Sequence, residues 1–481
     1  MQLSALKQRI AEQFDALAPN RRTWKRKNKY YYDVQTSYLR FLVPKGLRVL
    51  ELGCGTGETL AALEPSFGVG VDISEMMVAE ARREHPGLTF VHGDAEDPST
   101  WDIKPGTREG TFDVVVISDT VGHLEDIQIC LENLRPFCTP ETRVVISYYN
   151  FLWEPVLKLA ERLGAKMPQR MGNWLSTFDL RNLLALADFE TVKWETKLLV
   201  PRKVPVLHRA FEFLGSLPLL RHLCLQVFVV ARMRRRDPVS QQKSVTVLIP
   251  CRNEKGNIEP AIQRTPDMGK HTEIIFVDGH SQDGTPEEIE RVMAAYPERD
   301  IKFMVQDGRG KGDAVRKGFD AAQCDILMIL DADLTMPPED LPKFYNAIAA
   351  DKGEFINGTR LVYPMEDEAM RFLNLMGNKF FSLAFSWLLN QRLKDTLCGT
   401  KVLSRENYRR LVAGRSYFGD FDPFGDFDLL FGASKLNLKI VEVPIRYRAR
   451  TYGETQISRF RHGWLLLRMC AFAMRKLKLV G

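Results

Sequence analysis

The sequence has no run of roughly 20 apolar residues, the length a helix needs to cross a bilayer. Its longest candidates, 380–389 and 464–474, are short, and the second is broken by Arg468. The first residues, Met1 to Arg9, carry no apolar signal core. Cysteine is sparse: eight scattered residues in 481, with no Cys-x-x-Cys pair and no histidine-rich neighbour. That pattern argues against zinc and against a disulfide framework, and for a reducing compartment. Internal repeats and low-complexity tracts are missing too. With a net charge of +6 the chain is only mildly basic, so no nucleic-acid partner is expected. Together these absences point to a cytoplasmic protein without a transmembrane anchor.

What is present is ordinary globular composition, 45% hydrophobic and 27% charged, in a chain long enough for two or three domains. The stretch Asp325 to Thr335 has the clearest pattern. Ile326 to Leu330 reads as a strand buried on both faces, as in a parallel sheet. Asp331 and Asp333 follow it, two apart; in extended backbone they project the same way and can clamp one hard divalent cation. Val245 to Pro250 and Glu273 to Asp278 are further strands ending in polar clusters. Ligands of open α/β sheets bind outside the carboxyl ends of the strands, where all these clusters fall.

From Ile249-Pro250-Cys251-Arg252-Asn253-Glu254 to Tyr452-Gly453-Glu454-Thr455, ordered matches run through Asp278 to Thr285, Gly310 to Ala314, Asp331-Ala332-Asp333, Gly358-Thr359-Arg360 and Asp395 to Lys401. On these residues the C-terminal half resembles family 2 glycosyltransferases of the GT-A type, in the polyprenyl-phosphate (dolichyl-phosphate) mannosyl- and glucosyltransferase branch. The resemblance implies Mg2+ or Mn2+ on Asp331 and Asp333, and a nucleotide diphosphate sugar held by Pro250, Asn253, Glu254, Asp278, Lys311, Arg360 and Arg450. Asp278 is the residue expected to reach the base. The chain departs from the family at Gly279-His280, where a second acid and a Gly are usual. Asp428, in a segment that also holds Asp420, Asp422 and Asp426, stands where relatives with hydroxyl acceptors place a base. A polyprenyl phosphate needs none, being already largely anionic at neutral pH.

In the N-terminal half, the strand Leu47 to Leu50 leads into Glu51-Leu52-Gly53-Cys54-Gly55-Thr56-Gly57-Glu58. Glycines there let backbone pass close to a ligand between a strand and a helix start. The third Gly comes too early for the dinucleotide fingerprint. With Gly68 to Ser74, Leu88 to Glu96 and Phe112 to Asp119, the stretch resembles class I S-adenosylmethionine-dependent methyltransferases. That resemblance implies cofactor contacts from Glu51, Gly53, Gly55, Gly57, Asp72, Asp94, Ala95 and Ser118, with Asp72 on ribose hydroxyls and Asp94 on the adenine amino group. His123 is a wall, a base or neither. Strands at 143–149, 191–200 and 224–233 complete the fold, and apolar inserts at 151–164 and 205–220 are expected to lid the acceptor pocket.

The chain is thus expected to be two α/β domains, a Rossmann-like methyltransferase over 1–233 and a GT-A domain over 244–481 ending in a basic amphipathic helix, joined by a linker at 234–243. A bifunctional enzyme follows: methyl transfer in one half, inverting sugar transfer to a lipid-linked acceptor in the other. The alternative is a glycosyltransferase for soluble glycan or protein, with a methyltransferase-like half that only binds cofactor or partners. The apolar stretch 371–389 is either an amphipathic helix on a membrane surface or a core helix.

Overall fold

The computed structural model describes residues 3–104, 107, 110–169, 173–234, 243–360, 372–417, 427–445, 448, 450, 452 and 459–479, with backbone only for 372–379 and 459–463. Asp420, Asp422, Asp426, Gly453 to Thr455 and linker residues 235–242 lie outside the described residues. The chain forms two compact units, Met1–Arg235 with Lys478–Gly481, and Arg236–Leu477.

The first unit is built on seven strands: β1 (Arg48–Leu52), β2 (Phe67–Asp72), β3 (Thr89–His92), β4 (Phe112–Ser118), β5 (Cys138–Tyr149), β6 (Phe189–Lys197) and β7 (Gln226–Met233). They lie in the order β3-β2-β1-β4-β5-β7-β6. The first five are parallel, and β7 runs antiparallel to both β5 and β6. Val49, Leu50, Val115, Val116, Val144 and Val145 are all buried, as consecutive β-branched and aliphatic residues must be in a strand covered on both faces. β6 stops short of the expected Val200 because Leu198 takes φ 64, a left-handed turn that ends pairing. Because β1 connects to β2 on one side and pairs with β4 on the other, a crevice opens at the carboxyl ends of β1 and β4.

The second unit repeats this logic with β8 (Val245–Cys251), β9 (Thr272–Asp278), β10 (Asp300–Val305), β11 (Ile326–Ile329), β12 (Phe355–Thr359), β13 (Lys401–Ser404) and β14 (Ile440–Pro444). The order is β10-β9-β8-β11-β13-β12-β14, and β10 through β11 are parallel. β13 is antiparallel to β11 and to β12. The crevice here lies between β8 and β11, beside Asp331. The helix Phe372–Leu389 divides its faces: Phe385, Leu388 and Leu389 are buried, with Phe385 against Phe427 and Phe431, while Phe380 and Leu383 face solvent. It is therefore a core helix on one side and an exposed apolar one on the other. Among the described residues no helix is long and apolar enough to cross a membrane.

Candidate functional sites

In the first unit the turn after β1 carries Gly53, Gly55 and Gly57 at φ 69, 53 and 80. A Cβ on Gly53 would lie 2.2 Å from Thr120 Oγ1, whereas a Cβ on Gly55 would meet nothing within 4 Å and enter open space. That space belongs to a cavity whose wall includes Gly53, Gly55, Asp72, Asp94, Ala95 and Ser118. Two of the expected cofactor residues stand apart from this wall. Gly57 faces Phe90, and Glu51 is buried beneath the turn.

Asp72 ends β2 and braces the glycine turn: Oδ2 accepts from Gly55 N at 2.7 Å and Oδ1 from Ser74 N at 2.9 Å. Burial pushes its carboxyl above the usual range against the pull of those two N–H groups. Asp94 Oδ2 accepts from Lys7 Nζ at 2.7 Å, and the same ammonium lies 3.2 Å from Glu96. Lys7 comes from the helix Ala5–Leu17, which fully buries none of its own residues.

Two further acids bear on the chemistry. Glu51 is fully buried, one oxygen has no hydrogen-bond partner, and burial pushes its carboxyl up to about 8 despite the nearby Lys25. Asp119, just past β4, was quoted above only as the end of a strand motif. It takes φ 54; its Oδ2 accepts from Tyr31 Oη at 2.8 Å and Gln35 Nε2 at 2.9 Å, and its Oδ1 is buried without a partner. Burial raises its pKa as well. Asp119 lines the cavity with Tyr32, Tyr149 and His123, and the His123 ring meets Phe14 edge-on at 5.0 Å. Among the described residues the wall of this cavity takes nothing from 151–164 or 205–220, while Glu161 of the first insert lines an adjoining pocket together with His123 and Gln169.

The Glu51 shift sets a pH dependence. An acid whose pKa is higher folded than unfolded keeps its proton in the native state between the two values, so stability falls as pH rises through that window. For Glu51 the window runs from 4.5 to about 8. Glu51→Gln is expected to melt close to the native protein at pH 5 and above it at pH 9; the reverse order would show that Glu51 is stabilised as a carboxylate.

In the second unit three loops interlock beyond the strand ends. Asn253, at φ 56, donates its N–H to Ser281 Oγ at 2.8 Å and accepts from Gln282 N at 2.9 Å. Glu254 N donates to Thr285 Oγ1 at 3.0 Å. Asp278 is buried and turns both carboxylate oxygens onto Ser281, accepting from its N–H and its hydroxyl. It thereby holds the turn where it was expected to reach outward to a base. Pro250 lies within β8, opposite Val277.

The extended geometry expected for Asp331 and Asp333 is not what forms. Leu334 takes φ 52 and its N–H reaches Asp331 O at 3.2 Å, so the pair sits in a turn. Each carboxylate has its own cation. Lys311 Nζ, at the start of the helix Lys311–Ala321, lies 2.6 Å from Asp331 Oδ1. Arg450 Nη2 lies 2.8 Å from Asp333 Oδ2, and Nη1 lies 3.3 Å from Glu254 Oε1. Burial works to raise the Asp331 pKa, but Lys311 overrides it and holds the group below the usual carboxylate range. Among the described residues no cluster of three or more His, Cys, Asp or Glu side chains is arranged to hold a metal. Two oxygen-donor carboxylates fit a hard cation whose remaining ligands come from a phosphate-bearing substrate.

Two expected contacts are corrected. Arg360, expected to fork onto phosphate, spends that fork on Asp395, with Nε at 2.7 Å and Nη2 at 2.8 Å. Asp428, expected as a base, is buried and ion-paired with Arg316 at 3.4 Å and Arg415 at 3.2 Å. Arg360 acts instead through the Asp395–Thr400 loop. A Cβ on Gly399 of that loop would lie 1.9 Å from Asp331 Oδ2. Gly399→Ala is therefore expected to displace Asp331 and lower glycosyl transfer about tenfold or more, since a 1 Å misplacement alone can cost about 100-fold. Steady-state kinetics of the full chain checks this; native turnover would show that Asp331 has room to move.

Two family models match the chain: "Methyltransferase domain" over residues 24–193 and "Glycosyl transferase family 2" over 246–411. The dolichol-phosphate mannosyltransferase of Saccharomyces cerevisiae is 39% identical over 238 residues, 44% of this chain and 80% of that protein. The dolichol-phosphate mannosyltransferase of Pyrococcus furiosus is 30% identical over 221 residues, 44% of this chain and 59% of that protein. Among solved structures, a SAM-dependent methyltransferase of Thermotoga maritima is similar at 18% identity and a TM-score of 0.37, covering 47% of this chain and 100% of its own.

Proposed function

The chain belongs to the family 2 glycosyltransferases and carries a methyltransferase domain ahead of that unit, and we propose that its second unit transfers a sugar, with inversion, from a nucleotide diphosphate sugar to a polyprenyl phosphate. The observation that carries the reading is the pair Asp331 and Asp333 at the end of β11, with Lys311 and Arg450 in contact and Glu254 behind. A bound Mg2+ or Mn2+ would offset charge on the departing nucleoside diphosphate. Lys311 and Arg450 hold the two carboxylates in place before the donor arrives and can answer its phosphates.

The state of Asp428 supports a phosphate acceptor. A hydroxyl nucleophile needs a free base, and this carboxylate is bound by Arg316 and Arg415. A phosphate monoester arrives largely ionised and asks for none. Mannosyl and glucosyl donors offered to the full chain with polyprenyl phosphate and Mn2+ test the reading. Label should move to the organic phase; label found only on water-soluble or protein acceptors would overturn it.

The first unit is proposed to bind S-adenosylmethionine in the cavity walled by Gly53, Gly55, Asp72, Asp94 and Ser118. Asp119, which lines that cavity, carries a buried carboxylate oxygen that the fold alone leaves without a partner, and such a group calls for a ligand or solvent partner. When bound, the cofactor supplies an electrophilic methyl group. Asp119 Oδ1, anchored through Oδ2 by Tyr31 and Gln35, is placed to take a hydrogen bond from the methyl acceptor. Lys7 is the group that must yield Asp94 to the adenine amino group.

A further inference from the structure

The helix Glu154–Arg162 of the first unit presents its apolar stripe outward. Leu152, Val156, Leu159 and Leu163 recur at helical spacing and all are exposed, Leu163 to 74%, while Leu157 is the one residue the helix buries. A surface helix of a soluble domain shows the opposite pattern, its apolar stripe turned to the core. The second insert behaves alike. Val206 is 90% exposed and Leu219 87%. Val206 also takes φ 69, a strained conformation for a β-branched residue, at the very tip where it is fully displayed.

These two segments adjoin. Trp153 Nε1 donates to Leu223 O at 2.8 Å and Asn150 Nδ2 donates to His222 O at 2.7 Å, so the start of the first insert is tied to the chain just after the second. The exposed charge of the two inserts is mostly basic. Lys158, Arg162, Arg202, Lys203 and Arg209 are exposed, while Glu154, Glu161 and Glu212 are half-buried. Glu154 is paired with Lys158, and Glu161 with Lys166. Exposed apolar side chains interspersed with basic ones call for a partner that is apolar inside and anionic at its surface.

We propose that this face of the methyltransferase unit docks on an anionic lipid bilayer, the apolar residues entering the boundary between headgroups and acyl chains and the five basic residues lying at headgroup level. The surface is separate from Phe380 and Leu383 of the second unit and does not depend on the sugar-transfer reading. Its consequence is that the methyltransferase cavity works at a membrane surface.

The test is flotation of the full chain with phosphatidylcholine vesicles and with phosphatidylcholine/phosphatidylglycerol vesicles at low and high salt. Val156→Glu/Leu159→Glu/Leu219→Glu is compared with Phe380→Glu/Leu383→Glu. The altered side chains of the first variant point into solvent, so its melting should be native. Binding should require the anionic lipid, weaken with salt, and fall more than about tenfold in the first variant, as loss of several buried apolar groups implies. An environment-sensitive dye on Leu163→Cys should shift to the blue with anionic vesicles only. Native flotation of the first variant, or a dye that reports water while the protein is vesicle-bound, would overturn the proposal. So would a native chain that binds no vesicle yet self-associates through this face.

Discussion

Asn in place of Asp333 should lower sugar transfer by about two orders of magnitude or more while leaving S-adenosylmethionine binding intact. The substitution keeps the shape of the side chain and an acceptor for Thr335, which now donates to Oδ1 at 2.8 Å. What it removes is the charge that Arg450 answers at 2.8 Å, and with it half of the negative charge available to a divalent ion. Lewis-acid stabilisation of a departing diphosphate is worth several kcal/mol, and each 1.36 kcal/mol is about tenfold in rate. Initial rates at saturating Mn2+ read the effect. Near-native transfer by the variant would mean that the pair carries no metal, and that Lys311 and Arg450 alone neutralise the donor.

Gly55→Val should abolish detectable cofactor binding and spare sugar transfer. At φ 53 a β-branched residue is strained by about 1–3 kcal/mol, and its side chain would project into the cavity, since nothing now stands within 4 Å of the Cβ position. The strain would also loosen the bond from Gly55 N to Asp72, so the loss is steric and electrostatic at once. Calorimetric titration with S-adenosylmethionine measures it. Undiminished binding would place the cofactor elsewhere in the unit. Loss of both activities in a variant that still melts cooperatively would show that the two units depend on one another.

How much of this was legible in the sequence varies with range. The α/β class of both halves, and the polar clusters at strand ends, follow from local patterns: apolar runs of strand length ending in acids or glycines. Side-chain partners drawn from distant segments do not. Nothing local to Arg360 says that its fork belongs to Asp395, or that Asp428 will be claimed by Arg316 and Arg415. The turn at Asp331 to Leu334 escaped for a different reason. A leucine in the left-handed region is uncommon, so alternation read as extended strand was the natural expectation. Asp119 was visible as the end of a strand, but its role depends on Tyr31 and Gln35, more than 80 residues earlier. The inserts at 151–164 and 205–220 were legible as apolar helices; that they turn those residues outward is a matter of packing.

The most direct test of the account is a comparison of two acceptors differing only in charge. Polyprenyl phosphate and the corresponding polyprenol are offered to the full chain with the same labelled nucleotide sugar and Mn2+, and the organic-phase product is identified by mass spectrometry. With Asp428 paired to two arginines, product should form from the phosphate and not from the alcohol. Equal transfer to the polyprenol, or transfer to neither while a soluble glycan is labelled, would contradict it.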